Sequence, residues 1–394
     1  MKNIFARTLA LLLIAGAILA AHAGAAGVAF AAEEENPLSA WTDNKTRSKI
    51  LDFVSAITNP ENADFVPQED RIAVFDLDGT LLPEQPEPFV IAYAYNRFQL
   101  SPPPAPAMSD AIDEYIANGN LETAMALNAK RSLEILFSTF AEDKASQLRQ
   151  SVSAWLDTPY PDPRLEDFRW RDTAYLPMRE LLAYLRANGF QTYLVTGSEQ
   201  EFARAVGAEL FGFRPEHVIG SDLRNKFEEK GGKIAISREA KLSDLNEGVN
   251  KALNIQSRIG RAPILAAGNS DGDLEMLKLA TQAQGKRLGI IIQHTDAERE
   301  FAYDREAKTG KLRKGLDQAK ANGWLVVSMQ KDWATIFADP SSEEPESGEA
   351  AETPATAQEE LPSQNASQET SQNASLETSH QNASQETPPE AVNQ

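Results

Sequence analysis

The sequence predicts an α/β fold: a Rossmann-like parallel sheet covered by helices, with a helical cap subdomain and a disordered acidic C-terminal tail. Three observations predict it. Short apolar runs alternate with stretches of helical spacing, the pattern of parallel strands buried on both faces. About 110 residues separate the first two such runs, too many for an ordinary connection. From Asp339 onward apolar periodicity stops.

The elements follow in chain order. Lys2 and Arg7 precede an apolar run, Leu9 to Ala21, and small residues follow, which predicts a signal peptide over 1–31 cleaved after Ala23 or Ala31. The run is short for a membrane span. The mature protein is therefore expected in the periplasm or secreted, without stable membrane insertion. A folded domain is expected over 32–338. Ile72 to Phe75 reads as its first strand, and Thr192 to Val195, Ile264 to Ala267, Leu288 to Ile292 and Leu325 to Val327 as later ones. Met178 to Ala187 reads as a helix ending at the turn Asn188-Gly189, and Leu274, Met276, Leu277 and Leu279 form an apolar helical face. The long insert, approximately 85–172, is expected to be a helical cap, with helices over Leu121 to Phe137 and Ala141 to Leu156 and proline punctuation around them.

The tail, 339–394, carries near-repeats, Ser363 to Thr370 and Ser371 to Thr378, and too few apolar side chains to offset the entropy of ordering. Its Asn-Ala-Ser sequons at Asn365, Asn373 and Asn382 recur because the repeat recurs, and are read as unmodified.

The formal net charge is -20, and residues 341–394 hold 11 Glu with no Lys or Arg. Such a chain is not expected to bind nucleic acid. The absence of Cys excludes disulfides, thiol nucleophiles and thiolate metal sites. Four scattered His make a His-rich zinc site a poor reading, so a metal would take oxygen ligands, which suits Mg²⁺.

Two clusters point to chemistry. Asp76, Asp78, Gly79 and Thr80 follow the first strand, and carboxylates two residues apart there can face one small volume. Asp76 is the expected nucleophile toward a phosphorus atom, and Asp78 the acid and base that protonates the leaving oxygen and then deprotonates water. Gly268 to Asp273 follows the third strand, where Asn269, Asp271 and Asp273 offer oxygens to complete a Mg²⁺ shell with Asp76 and the Asp78 carbonyl. Thr196, after the second strand, can hold a phosphate oxygen, with Ser198 expected to cap the next helix. Lys251 is the chosen cation for the phosphoryl group, in competition with Lys241, Arg258 and Arg261. His294 is expected in a structural role, with Thr295 and Glu298 forming a capping box. The activity these residues imply is hydrolysis of a small phosphorylated metabolite; the protein is separately expected to be a monomer.

From about Glu69 to Phe337 the chain resembles the haloacid dehalogenase-like hydrolase superfamily, nearer its phosphoserine-phosphatase-like branch. The resemblance rests on Phe75 to Leu81, Val195 to Gly197 and Ala267 to Leu277, with His294 to Glu300 and Ala302 to Arg305 as in a narrower set of bacterial phosphatase-like proteins. It implies that Asp76 is the nucleophile, Asp78 the acid/base and a carbonyl metal ligand, Thr196 the second-motif hydroxyl and Lys251 the third-motif lysine. It further implies that Asn269 stands where a metal carboxylate is usual, that Asp273 is the later acidic position, with Asp271 the alternative ligand, and that the insert is a helical cap. Glu84 lies one residue out of register with a substrate-reading Glu of amino-acid phosphatases. The competing reading is a catalytically weak exported binding or surface protein on the same fold, motivated by Asn269 and the tail.

Overall fold

Side chains of the first strand, β1 (Ile72–Phe75), are buried along its length and divide between two cores. Ala73 and Phe75 join one apolar cluster, Ile72 and Val74 the other. A strand with water on neither face must be apolar at every position, and this explains the unbroken run in the sequence. The computed structural model describes residues 37–100, 137, 139–140 and 145–341. The expected signal peptide, the expected helix over 121–137 apart from Phe137, and the tail from 342 lie outside them.

Helix α1 (Lys45–Thr58) precedes β1, capped by Asn44, whose side chain accepts from Thr46 N and Arg47 N. After β1 come α2 (Phe89–Leu100), α3 (Ala145–Leu156) and α4 (Leu176–Ala187), then β2 (Gln191–Glu199) and α5 (Gln200–Phe211). A hairpin follows, β3 (Val218–Lys230) and β4 (Lys233–Asp244), then α6 (Val249–Ile259), β5 (Leu265–Gly268), α7 (Leu274–Thr281), β6 (Leu288–Gln293), α8 (Lys314–Asn322), β7 (Leu325–Ser328) and the short α9 (Met329–Asp332).

Among the described residues the sheet has seven strands in the order β4-β3-β2-β1-β5-β6-β7. Neighbours are parallel except β3 and β4. Helices α6, α7 and α8 cover one face through Ile255, Leu277 and Ala319, and α1, α4 and α5 the other through Phe53, Leu181 and Phe202. The chain leaves β1 toward β2 on one side and later lays β5 on the other, so β1 and β5 flank the switch point of the sheet. Phe75 registers with both Leu194 and Ala267, so the carboxyl ends of β1 and β5 lie beside the middle of β2, which runs on to Glu199.

Between β1 and β2, α2 and α3 join an aromatic cluster. Phe89 meets Trp170 edge-on at 4.7 Å, and Tyr93 stacks on Phe140 at 5.5 Å and on Phe202 of α5 at 5.3 Å. Edge-to-face and offset pairs of this kind fix ring orientation as well as burying area. They seat α2 beside the carboxyl end of the sheet, where Val90 and Ile91 reach the pocket described below.

Candidate active site

Asp76 leaves β1 with its backbone N–H still bonded to Ala267 O of β5 at 3.0 Å. That bond fixes the first carboxylate relative to the loop after β5. Gly79 turns the chain at φ +74°, and a Cβ there would lie 2.0 Å from Asn269 Nδ2. Both the left-handed conformation and the close approach require glycine. The loops after β1 and β5 and the last residues of β2 converge on a cavity of about 440 Å³, a size suited to a small ligand. Asp76, Asp78, Glu84, Thr196, Lys251 and Asn269 line its polar side.

Lys251, on α6, is 1% exposed. Its Nζ donates to Asp76 Oδ1 and to Asp273 Oδ1, each at 2.7 Å. Burial opposes its charge, but Asp273, Asp76 and Glu247 outweigh it and hold the ammonium well above the ordinary lysine range. Burial and Asp273 push the Asp76 carboxyl upward, and Lys251 opposes them. Of the four cations weighed from sequence, Lys251 is the one placed on Asp76. Arg258 pairs with Asp222, Arg261 pairs with Asp70, and Lys241 is exposed.

Asp78 has other partners. Ser198 Oγ donates to its Oδ2 at 2.7 Å and Phe89 N to its Oδ1 at 3.2 Å. Burial raises its carboxyl, and these two hydrogen bonds partly counter the rise. Ser198 is therefore not the helix cap expected from sequence. Strand β2 continues through Glu199, and it is Glu199 that caps α5, accepting from Glu201 N and Phe202 N. Thr196 is buried, lines the cavity, and accepts from Ser198 N at 3.1 Å.

The loop after β5 departs from the expected metal shell. Asp273 Oδ2 accepts from Asn269 N, Ser270 N and Ser270 Oγ at 3.0, 3.0 and 3.2 Å, while its Oδ1 takes Lys251. Its oxygens hold the loop and the lysine rather than facing the cavity. Asp271 turns elsewhere, accepting from Gly315 N of α8 at 2.9 Å. The Asn269 amide receives Thr80 Oγ1 on Oδ1 at 3.3 Å and donates through Nδ2 to Glu84 Oε1 at 2.5 Å. Among the described residues no three His, Asp or Glu side chains converge to hold a metal. Asp76 and the Asp78 carbonyl remain, and the cavity's carboxylates outnumber its lysines, Asp76, Asp78, Glu84 and Glu247 against Lys251 and Lys308. That oxygen-rich lining fits a divalent cation.

Behind the loop, His294 is buried, and its Nε2 donates to Gly79 O at 2.8 Å. Its Nδ1 lies 3.1 Å from Glu300 Oε2, and its ring stacks on Tyr303 at 4.2 Å. The capping box expected from Thr295 and Glu298 does not form. Asp296 does that work, accepting from Glu298 N and Arg299 N, while Thr295 pairs with Ser328. Sequence reasoning missed the contact of Ser198 with Asp78 and of Tyr303 with Glu84. Neither pair is close in sequence, so no spacing rule could have found them.

The chain belongs to the haloacid dehalogenase-like hydrolases: that family's profile matches residues 73–278, more than half of the sequence. No curated protein sequence matches it. Similar solved structures include a protein of unknown function from Anaerococcus prevotii, at 16% identity and TM-score 0.46, covering 74% of this chain and 93% of that one. A protein of unknown function from Bordetella pertussis is similar at 17% identity and TM-score 0.42, covering 65% and 97%. A probable phosphoserine phosphatase from Vibrio cholerae is similar at 16% identity and TM-score 0.33, covering 65% and 66%.

Proposed function

We propose that this hydrolase is an exported, Mg²⁺-dependent phosphomonoesterase that cleaves small phosphorylated metabolites through an aspartyl-phosphate on Asp76. The observation that carries the reading is the division of labour between two carboxylates on successive outward positions. Asp76 is held by an ammonium group, and Asp78 by a hydroxyl and a backbone N–H.

Asp76 attacks phosphorus while Lys251 and the Thr196 hydroxyl hold phosphoryl oxygens. The leaving oxygen takes the proton of Asp78, whose burial-raised carboxyl keeps that proton available. Asp78, now a carboxylate, takes a proton from water as the water attacks the aspartyl-phosphate, and Asp76 is regenerated as phosphate departs. Asp76 and the Asp78 carbonyl would hold Mg²⁺, which when bound neutralises charge on the phosphoryl oxygens. Val90, Ile91 and Phe137, which fall within the expected cap, close the organic side of the substrate pocket. The protein acts as a monomer in the periplasm or medium, a placement that rests on residues 1–31.

A panel of phosphorylated metabolites and a generic aryl phosphate, assayed for phosphate release with Mg²⁺ and with chelator, tests this. Steady, chelator-sensitive release is expected. A folded protein that binds Mg²⁺ and releases phosphate from none of them would favour the weak binding protein instead.

A further inference from the structure

The carboxylate oxygens around the cavity separate into engaged and free. Both oxygens of Asp78 accept hydrogen bonds, as do both of Asp273. Asp76 Oδ1 is taken by Lys251. Glu84 Oε1 receives two donors, Asn269 Nδ2 at 2.5 Å and Tyr303 OH at 2.9 Å. Among the described residues that leaves Asp76 Oδ2 and Glu84 Oε2 as free oxygens of buried carboxylates lining the cavity, and Glu84 is 4% exposed. Glu247, the remaining carboxylate of the lining, is an exposed side chain and stands outside that pair.

Glu84 also has no Lys, Arg or His ion partner among the described residues. A buried carboxylate held by two neutral donors still lacks a counter-charge. Its position suggests what supplies one. A Cβ on Gly79 would lie 2.5 Å from Glu84 Oε1, so the carboxylate sits against the peptide unit that carries the Asp78 carbonyl. At position 269 an amide occupies the place of a carboxylate, and that amide points its NH₂ at Glu84. The charge missing at 269 is present at 84.

We propose that Glu84, through Oε2, is the second carboxylate ligand of the divalent cation, beside Asp76 and the Asp78 carbonyl, and that Asn269 and Tyr303 hold it in place. This rests on the cation-dependent reading above, but its test uses binding rather than turnover. A substrate ammonium would also satisfy Glu84. The cation is favoured because Glu84 packs at the nucleophile's loop, whereas Val90 and Ile91 of α2 line the cap side.

The experiment titrates Mn²⁺ into the full chain, with no substrate, by calorimetry and by electron paramagnetic resonance. Four proteins are compared: the parent, Glu84→Gln, Asn269→Asp, and the double variant that moves the charge back. Glu84→Gln should weaken Mn²⁺ binding at least tenfold, and the double variant should recover most of that loss. Parental affinity in a folded Glu84→Gln protein overturns the assignment, and a changed substrate preference of that variant in the separate phosphate-release panel would then give Glu84 to the substrate instead. Should Glu84→Gln not fold, the double variant decides alone. Binding within about threefold of the parent supports the relocated charge, and a tenfold loss overturns it. Tight, Glu84-dependent Mn²⁺ binding without any phosphatase activity would uphold this inference and defeat the proposed reaction.

Discussion

At the scale of single residues, the proposed reaction makes the Asp76–Lys251–Asp273 bridge the place where activity and stability are tested together. Asp76→Asn keeps an oxygen to accept from Lys251, so the fold should survive while turnover falls by roughly 10³-fold or more, as loss of a nucleophile does. Circular dichroism beside an aryl phosphate assay checks this, and a folded variant near the parental rate would remove Asp76 from its role. Lys251→Met acts differently. It fills the space but leaves two buried carboxylates without their cation, which costs roughly 3–5 kcal/mol, read as a lowered denaturation midpoint. Ser198 offers a pH test. Its hydroxyl stabilises the charged form of Asp78, so Ser198→Ala should raise that carboxyl further. As a general acid Asp78 must be protonated, so the alkaline limb of kcat/KM should move to higher pH. An unmoved limb would mean that Asp78 is not the acid.

At the scale of elements, the run of β2 past the expected end at Val195 places Ser198 and buries a further acid. Glu199, at the end of β2, pairs with Arg238 of β4 at 2.8 Å, and burial pushes its carboxyl up to about 7 from an ordinary 4.5. Below pH 4.5 both folded and unfolded forms carry the proton. Between 4.5 and about 7 the folded state keeps a proton that the unfolded state has released, so the stability this group adds is lost as pH rises through 7. Glu199→Gln should remove on the order of 3 kcal/mol of that pH dependence. Urea unfolding of both proteins at pH 5 and pH 8 measures it, and equal slopes would show that Arg238 keeps Glu199 charged throughout. The same elements show what was legible beforehand. Strand β1 and the strands at Leu265 and Leu288 were readable because burial on both faces forces apolar runs, and the edge strand at Leu325 because three apolar residues stand together in it, although its burial alternates. The β3–β4 hairpin was not, because its arm alternates charge with apolar residues such as Phe227 and Ile236, which are exposed. Its Gly231-Gly232 turn, with φ +59° and +74°, was the available signal. In the site, Asp76, Asp78 and Thr196 were legible from their place at strand ends. The engagement of Asp273, the direction of Asp271 and the contact of Asn269 with Glu84 depend on side-chain geometry that spacing does not carry.

At the scale of the whole molecule, the family profile stops short of the folded unit at both ends. Residues before β1 and after β6 pack on each other. Trp41 bridges to Trp333 with rings 6.1 Å apart, Thr42 N donates to Asp332 O, and Asn44 Nδ2 donates to Asp332 Oδ1 at 2.7 Å. Trp333 in turn lies 5.1 Å from Tyr175, whose hydroxyl donates to Glu300, the partner of His294 behind Gly79. The clamp between the two flanks is thus joined to the loop of Asp76 to Gly79 by packed rings and hydrogen bonds. Trp41→Ala should cost roughly 3–5 kcal/mol, as other buried Trp truncations do, and lower Tm by roughly 6 °C or more for a domain of this size. A chain ending at Ser341 retains Trp333 and Ile336, the last buried apolar residues of the core described, and should melt within about 2 °C of the full chain. The two proteins together locate the end of the unit. A silent Trp41→Ala would show that the flanks are not needed, and a Ser341 chain that melts as low as the Trp41 variant would show that the boundary near Asp339 is drawn too early.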